Sequence, residues 1–305
     1  MEKIDFSKWT HPDAERLDDY LFANGHQANV FNIKSIHALN QLVGYVKYKC
    51  MQEKSINVFF RGQSELYKTL MPSIFRFSTN DVAGKDVRIS IARRYENLRS
   101  YIKDCETQVP CLKKLNQMTT EALLQHYGIK TSWLDIVDNL WVALWFSIHN
   151  SKLVRSDNAE YEHISLNNKE QKVYLLLIRS DAVSAGINGC YKGTETELVD
   201  LRLSAPSFFL RPHAQHALLI RSRKRDSQVD VDLAKNVCAI LSFDINNVKS
   251  WLGEGKLLSA ENIYPPAIAD QGYRILLENA PRSGKEKTPT YGFVTSGPCR
   301  SLIRG

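Results

Sequence analysis

The 305-residue chain predicts an α+β fold with a mixed or antiparallel sheet and helices towards the N-terminus. Two observations point there. Helical periodicities dominate the first half and strand-like runs the second, without the regular alternation of a parallel βαβ fold. Neither a GxGxxG nor a GxxxxGK[ST] phosphate loop occurs, which argues against a Rossmann domain or a P-loop nucleotidase. Hydrophobic residues make up 43% of the chain, enough for a sizeable core.

Residues 1–30 are polar and aromatic and read as an irregular arm. Ser35 then stands before Ile36, Leu39, Leu42, Val43, Val46 and Cys50, which share one helical face, so it is the expected N-cap. Ile56 to Phe60 is β-branched and aromatic and predicts a strand ending at Arg61-Gly62. Helices are expected over 86–104 and 117–127, the second stopped by Gly128. Asp138-Asn139 can cap a buried helix from Leu140 to Asn150, in which Trp141 and Trp145 are core residues. The polar stretch 151–172 reads as a surface excursion. Strands follow at Val173–Ile178, Ala217–Ile220 and Val237–Phe243, then a short amphipathic helix over 244–258 and a last strand at Tyr273–Leu277. From Pro281 the chain is rich in Pro, Gly, Ser and Lys, and a mobile tail is expected. The expected organisation is an N-terminal arm and helix (1–54), a central catalytic domain (55–270) and a C-terminal strand and tail (271–305).

The formal charge of +7 and the pI of about 9.0 are compatible with a polyanionic partner such as nucleic acid, or with a protein that is merely basic. Six cysteines form no CxxC pair, and no histidine cluster has zinc-ligand spacing, so free thiols in a reducing cytoplasm and no metal are expected. The longest apolar run, Leu140 to Ile148, is half the roughly 18 to 20 residues needed to span a bilayer.

The densest chemistry lies in Leu124-Gln125-His126-Tyr127-Gly128-Ile129-Lys130-Thr131-Ser132-Trp133-Leu134-Asp135. Together with Phe60-Arg61-Gly62-Gln63, Leu70-Met71-Pro72-Ser73, Arg211-x-x-Ala214-Gln215 and Asn262-Ile263-Tyr264-Pro265, it resembles the FRG domain family, over roughly residues 55–270. The chain departs from the family pattern at Lys130, where proline is usual, and at Trp133. The resemblance implies a distant likeness to ADP-ribosyltransferases, with NAD as substrate, and an association with toxin and phage-defence systems. It also implies an antitoxin, with a chaperone a further partner. In many ADP-ribosyltransferases a strand-ending arginine binds the dinucleotide phosphates, a central Ser/Thr strand supports the pocket, and a late Gln or Glu contacts the nicotinamide ribose.

The residues fit those roles to different degrees. Arg61 offers a rigid donor fork for phosphate, or forms a buried ion pair, for instance with Asp135. Gly62 would let backbone approach the ligand, with Gln63 beside it. His126 can shuttle a proton or sit hydrogen-bonded in the core. Tyr127 can stack on nicotinamide. Thr131 can bind ligand or close a turn. Asp135 is read as support beneath the pocket. Arg211 and Gln215 are the late pair, with Gln215 preferred over the Glu195-Thr196-Glu197 stretch for the ribose hydroxyls. The basic run Arg221, Arg223, Lys224 and Arg225 reads as a phosphate-contacting patch or a solvated loop, and Trp133 could stack on a base. The leading expectation is an ADP-ribosyltransferase toxin acting on nucleic acid, RNA first. The alternatives are a nucleic-acid-processing or hydrolytic toxin working without NAD through His126 and Tyr127, and a non-catalytic nucleic-acid or protein binding module.

Overall fold

The computed structural model describes residues 4–52, 56–76, 87–155, 160–166, 171–225 and 227–281. Among them the fold is α+β and centres on one ten-stranded sheet. Its strands are β1 (Ala14–Leu21), β2 (Gln27–Ile33), β3 (Asn57–Gln63), β4 (Leu134–Val137), β7 (Lys172–Ser180), β8 (Ser184–Ile187), β9 (Cys190–Lys192), β10 (Thr196–Asp200), β11 (Ala217–Ser222) and β12 (Val237–Asp244). In space they run β1-β2-β12-β7-β3-β4-β11-β10-β9-β8. Only the β2/β12 contact is parallel; every other neighbouring pair is antiparallel. The strands β5 (His149–Arg155) and β6 (Glu160–Ser165) form a separate hairpin.

The helices are α1 (Ile36–Gln52), α2 (Val87–Gln108), α3 (Gln117–His126), α4 (Leu140–Ser147), α5 (Leu201–Ser204), α6 (Leu210–Ala214), α7 (Gln228–Val231), α8 (Ile245–Trp251), α9 (Ala260–Ile263) and α10 (Gln271–Asn279). The expected caps are in place. The Ser35 hydroxyl accepts from the Ala38 amide, and the Asn139 side chain accepts from Trp141 and Val142. Gly128 follows the end of α3 with φ +106°, a conformation only glycine adopts without strain.

Alternating strand residues divide the core. Val173, Leu175 and Leu177 of β7 and Ala239, Leu241 and Phe243 of β12 face α1, α4 and α8. Further along, Val199 of β10 and Ala217 and Leu219 of β11 join the cluster of α2, α3 and α10. The residues between them, such as Leu176, Ile178, Leu218, Ile220 and Ile240, pack on the opposite face with Leu70, Leu233 and Ala234. Trp145 is buried in the first cluster, and Trp141 packs against it.

Four expectations need correction. Residues 14–33 are not an irregular arm but the strands β1 and β2. The signal was masked because β1 is an edge strand carrying Glu15, Arg16, Asp18 and Asp19, the kind of charge that keeps edges from pairing with other chains. Asn29 interrupts the apolar run of β2, and its amide donates to Asp19 at 2.6 Å. Tyr273–Leu277 is helical, not a strand: Asp270 caps the Tyr273 amide, and Tyr273 and Leu276 share the buried face. The helix expected to reach Asn150 stops at Ser147, where the chain passes into the β5–β6 hairpin that makes up most of the expected excursion. The helix expected over 244–258 ends at Trp251, before three successive positive-φ residues, Gly253, Glu254 and Gly255. The expected tail from residue 282 lies outside the described residues. Among the described residues no helix is long and apolar enough to cross a membrane.

One carboxylate organises the β9–β10 turn. Asp181 accepts from the amides of Thr194, Glu195 and Thr196 and from both threonine hydroxyls. Burial works to raise its pKa, but these donors outweigh burial and bring it from 3.8 to about 2. A depressed carboxylate pKa stabilises the fold above the unfolded value and loses that contribution as pH falls. We expect Asp181→Asn to cost about 1 kcal/mol at neutral pH, allowing for its partial exposure. In urea titrations the gap between wild type and variant should close as pH falls from 3.8 towards 2. A pH-independent gap would contradict this.

Candidate functional site

The sheet splits where the sequence places its most polar motif. β3 stays paired to β7 through Gln63, and β4 stays paired to β11 along its whole length. Between them, β3 and β4 are bridged only at Phe60 and Val137. A cavity of about 300 Å³ lies against the residues that follow this bridge, Arg61 and Gly62 on one side, Asp135 and Ile136 on the other. The end of α3 supplies Gln125 and His126, α6 and its C-cap supply Arg211 and Gln215, and Tyr264 and Phe146 complete the wall. The size is at the lower end for a small-molecule site, and the mixture of apolar walls and convergent polar groups is typical of one.

Arg61 lies within β3 rather than at its end. It donates to the main-chain carbonyl of Asp135 at 2.6 Å, taking up a β4 carbonyl at the split. It forms no ion pair among the described residues, and its Nε is buried without a hydrogen-bond partner there. Burial, followed by the nearby Arg76 charge, pushes its pKa down to about 10, with Asp135 working in the other direction. The guanidinium is therefore still charged at neutral pH and poorly compensated, so an anionic ligand would be stabilising here.

Asp135 is enclosed by protein, yet its carboxylate opens into the cavity, with 46% of the side chain exposed. Its Oδ2 accepts from Gln125 Nε2 at 2.9 Å, and its Oδ1 lies 3.8 Å from His126 Nδ1. Burial tends to raise its pKa, but His126, Arg61 and the Gln125 amide together hold it below the usual carboxylate value. Asp135 is thus an ionised group of the cavity surface, not support beneath it. The His126 side chain is only 5% exposed, and its Nε2 is buried without a partner among the described residues.

Tyr127 is fully buried. Its hydroxyl donates to Asp270 Oδ2 at 2.6 Å, and its ring lies 4.6 Å from the Arg211 guanidinium. Burial, and then the Asp270 charge, raise its pKa. It presents no surface on which nicotinamide could stack; the aromatic faces on the cavity belong to Phe60, Phe146 and Tyr264. Tyr127→Phe leaves Asp270 short of a donor and is expected to cost about 1–3 kcal/mol of stability, read from urea unfolding. A variant as stable as wild type would show that this buried bond contributes nothing.

Arg211 reaches the cavity wall but is held by a cage of Tyr127, Tyr264 and Tyr273 rings at 4.6, 5.3 and 4.6 Å. Gln215 also lines the cavity, its Nε2 donating to the Ile263 carbonyl at 2.8 Å. Glu195 and Glu197 are elsewhere: Glu195 pairs with Lys235, and Glu197 with Arg221 and Arg225. Thr131 and Gln63 are buried and do not line the cavity. The Gly62 position is dictated by helix packing rather than by a ligand, since a Cβ there would stand 1.8 Å from the Ala143 carbonyl of α4.

The basic run is not one patch. Arg221 is buried between Glu121 and Glu197, stacked 4.1 Å from Trp133, so Trp133 has no face for a base. Arg225 shares Glu197. Arg223, which donates to the Gly193 carbonyl, and Lys224 remain exposed.

Residues 56–156 match the model of the FRG domain. This segment is an FRG domain. No curated protein and no solved structure matches the chain. The FRG domain supplies both lips of the split, Arg61 and Gly62 from β3 and Asp135 from β4, together with Gln125 and His126. Arg211, Gln215 and Tyr264 reach the same cavity from outside the matched segment. Sequence reasoning missed Gln125 and Tyr264 as cavity residues, although both lie in the quoted motifs. It also missed Ser73, whose hydroxyl accepts from the Thr131 amide.

Proposed function

We propose that the cavity binds NAD and that the protein is an ADP-ribosyltransferase acting on nucleic acid, with RNA the first acceptor to test. The observation that carries this reading is the pairing, across one split, of an under-compensated arginine with an open, ionised carboxylate. A pyrophosphate suits Arg61. When the glycosidic bond to nicotinamide breaks, the ring leaves as a neutral molecule with the bonding electrons. Positive charge then spreads over ribose C1′ and the ring oxygen. Asp135 offers a fixed negative charge to that developing cation, and Gln215 a polar edge to the ribose hydroxyls. An acceptor nucleophile then bonds to C1′ and loses its proton to solvent. A cavity of this size takes the nicotinamide-ribose end, with the adenosine extending through the mouth.

The reading without NAD is less well supported, because His126 Nε2 is buried and Tyr127 has no accessible surface. The family resemblance supports a toxin or phage-defence setting, with an antitoxin and a chaperone as partners. A cytoplasmic site of action is in keeping with the free thiols of Cys50, Cys105, Cys111, Cys190 and Cys238. Incubation of the full chain with NAD labelled on its adenylate phosphate, and with total RNA, DNA or protein, tests the proposal. Label on RNA is expected. Label on protein alone would reassign the acceptor. NAD left intact with every acceptor would favour a binding module.

A further inference from the structure

We infer that Gln125 is a positioning residue whose amide aims the Asp135 carboxylate into the cavity, with Thr131 fixing the amide's direction. The inference deepens the transferase reading, on which its kinetic part rests. The geometry is specific. Gln125 Oε1 accepts from the Thr131 hydroxyl at 2.6 Å and from the Thr131 backbone amide at 3.2 Å. A backbone N–H can only donate, so the atom facing it must be the amide oxygen, and the NH₂ group is thereby turned the other way. That NH₂ group is 2.9 Å from Asp135 Oδ2.

The chain of donors continues outward. The Thr131 hydroxyl also accepts from the Trp133 amide at 3.2 Å, so its proton is directed towards Gln125. The Ser73 hydroxyl bridges the same two residues, accepting from the Thr131 amide at 3.2 Å and reaching Gln125 Oε1 at 3.5 Å. Thr131 is fully buried and Gln125 stands at the end of α3, so the relay is built on packed elements rather than on a surface loop. Its cavity end is the Asp135 carboxylate with the Gln125 amide beside it, while Thr131 and Ser73 lie behind the wall. This accounts for a glutamine and a threonine six residues apart and an aspartate four residues further on: they form one hydrogen-bonded unit across the turn from α3 to β4.

The test uses the full chain with Gln125→Ala, the near-isosteric Gln125→Glu and Thr131→Val. Two readouts are followed: the titration of the Asp135 carboxyl carbon by NMR, and the pH profile of NAD cleavage with kcat and KM separated. Gln125→Ala is expected to move the Asp135 titration to higher pH, because a donor to its charged form is lost. Gln125→Glu should move it further, because a second carboxylate faces the first. Thr131→Val should shift it in the same direction by less. The acid limb of the rate profile should follow the titration, with kcat falling up to about 100-fold as the carboxylate loses its alignment, and KM nearly constant. An unmoved Asp135 titration in folded Gln125→Ala overturns the inference. Where the alanine variant does not fold, an unmoved titration in Gln125→Glu overturns it equally. If wild type cleaves no NAD but the titration moves as stated, the positioning role stands and the transferase reading fails.

Discussion

Arg61→Ala is expected to cut ADP-ribosyl transfer roughly 100-fold in a protein that remains folded. Arg61 makes one described hydrogen bond, to the Asp135 carbonyl, and no ion pair among the described residues. Removing it therefore relieves a buried, poorly compensated charge and costs the one hydrogen bond to the Asp135 carbonyl, about 1 kcal/mol. A ligand phosphate would lose its cationic partner inside an enclosed cavity, worth about 3 kcal/mol, or roughly a 100-fold fall in kcat/KM. Arg61→Lys should fall nearly as far, because an ammonium cannot hold both the carbonyl and a phosphate with a planar fork. Transfer rates and urea midpoints measured together decide the matter. Full activity in folded Arg61→Ala would remove the phosphate role, and unfolding would make Arg61 structural.

Gly62→Ala is expected to have the opposite profile, a loss of fold. The new Cβ would meet the Ala143 carbonyl at 1.8 Å and the Ser147 amide nitrogen at 2.7 Å, both backbone atoms of α4 that cannot rotate away. Either α4 moves off the sheet or β3 bends, and both disturb the core cluster around Val142, Leu144 and Trp145. The cost should be about 3 kcal/mol or more. Circular dichroism with urea unfolding checks it, and an unchanged midpoint would mean that α4 does not pack this closely. Adjacent motif residues thus have different reasons to be there: the arginine for an unpaired charge, the glycine for a helix.

How far the sequence could be read follows from the range of each force. The Ser35 and Asn139 caps, the buried strands β7, β11 and β12 and the stop at Gly128 are local signals, and they read directly. β1 and β2 did not, because β1 carries the charges that suit an edge, Asn29 and Asn32 interrupt the apolar residues of β2, and β2 is held by β12, far along the chain. The site divides the same way. Arg61, His126, Asp135, Arg211 and Gln215 were picked out by residue type and motif, and they share one cavity. Their roles were harder to see. Nothing local says that Tyr127 turns inward to Asp270, that Arg221 is spent on Glu121 and Glu197, or that Asp135 opens into the cavity. Each depends on a partner at least ten positions away in the chain. The split between β3 and β4 is a property of two ladders, and no single strand encodes it.

The most direct test of the transferase account is the electron density of NAD in crystals of the full chain. The pyrophosphate is expected beside the Arg61 guanidinium, with the nicotinamide ribose between Asp135 and Gln215 at the β3/β4 split. Dinucleotide density at any other surface, or an empty cavity at NAD concentrations that saturate binding in solution, would contradict it.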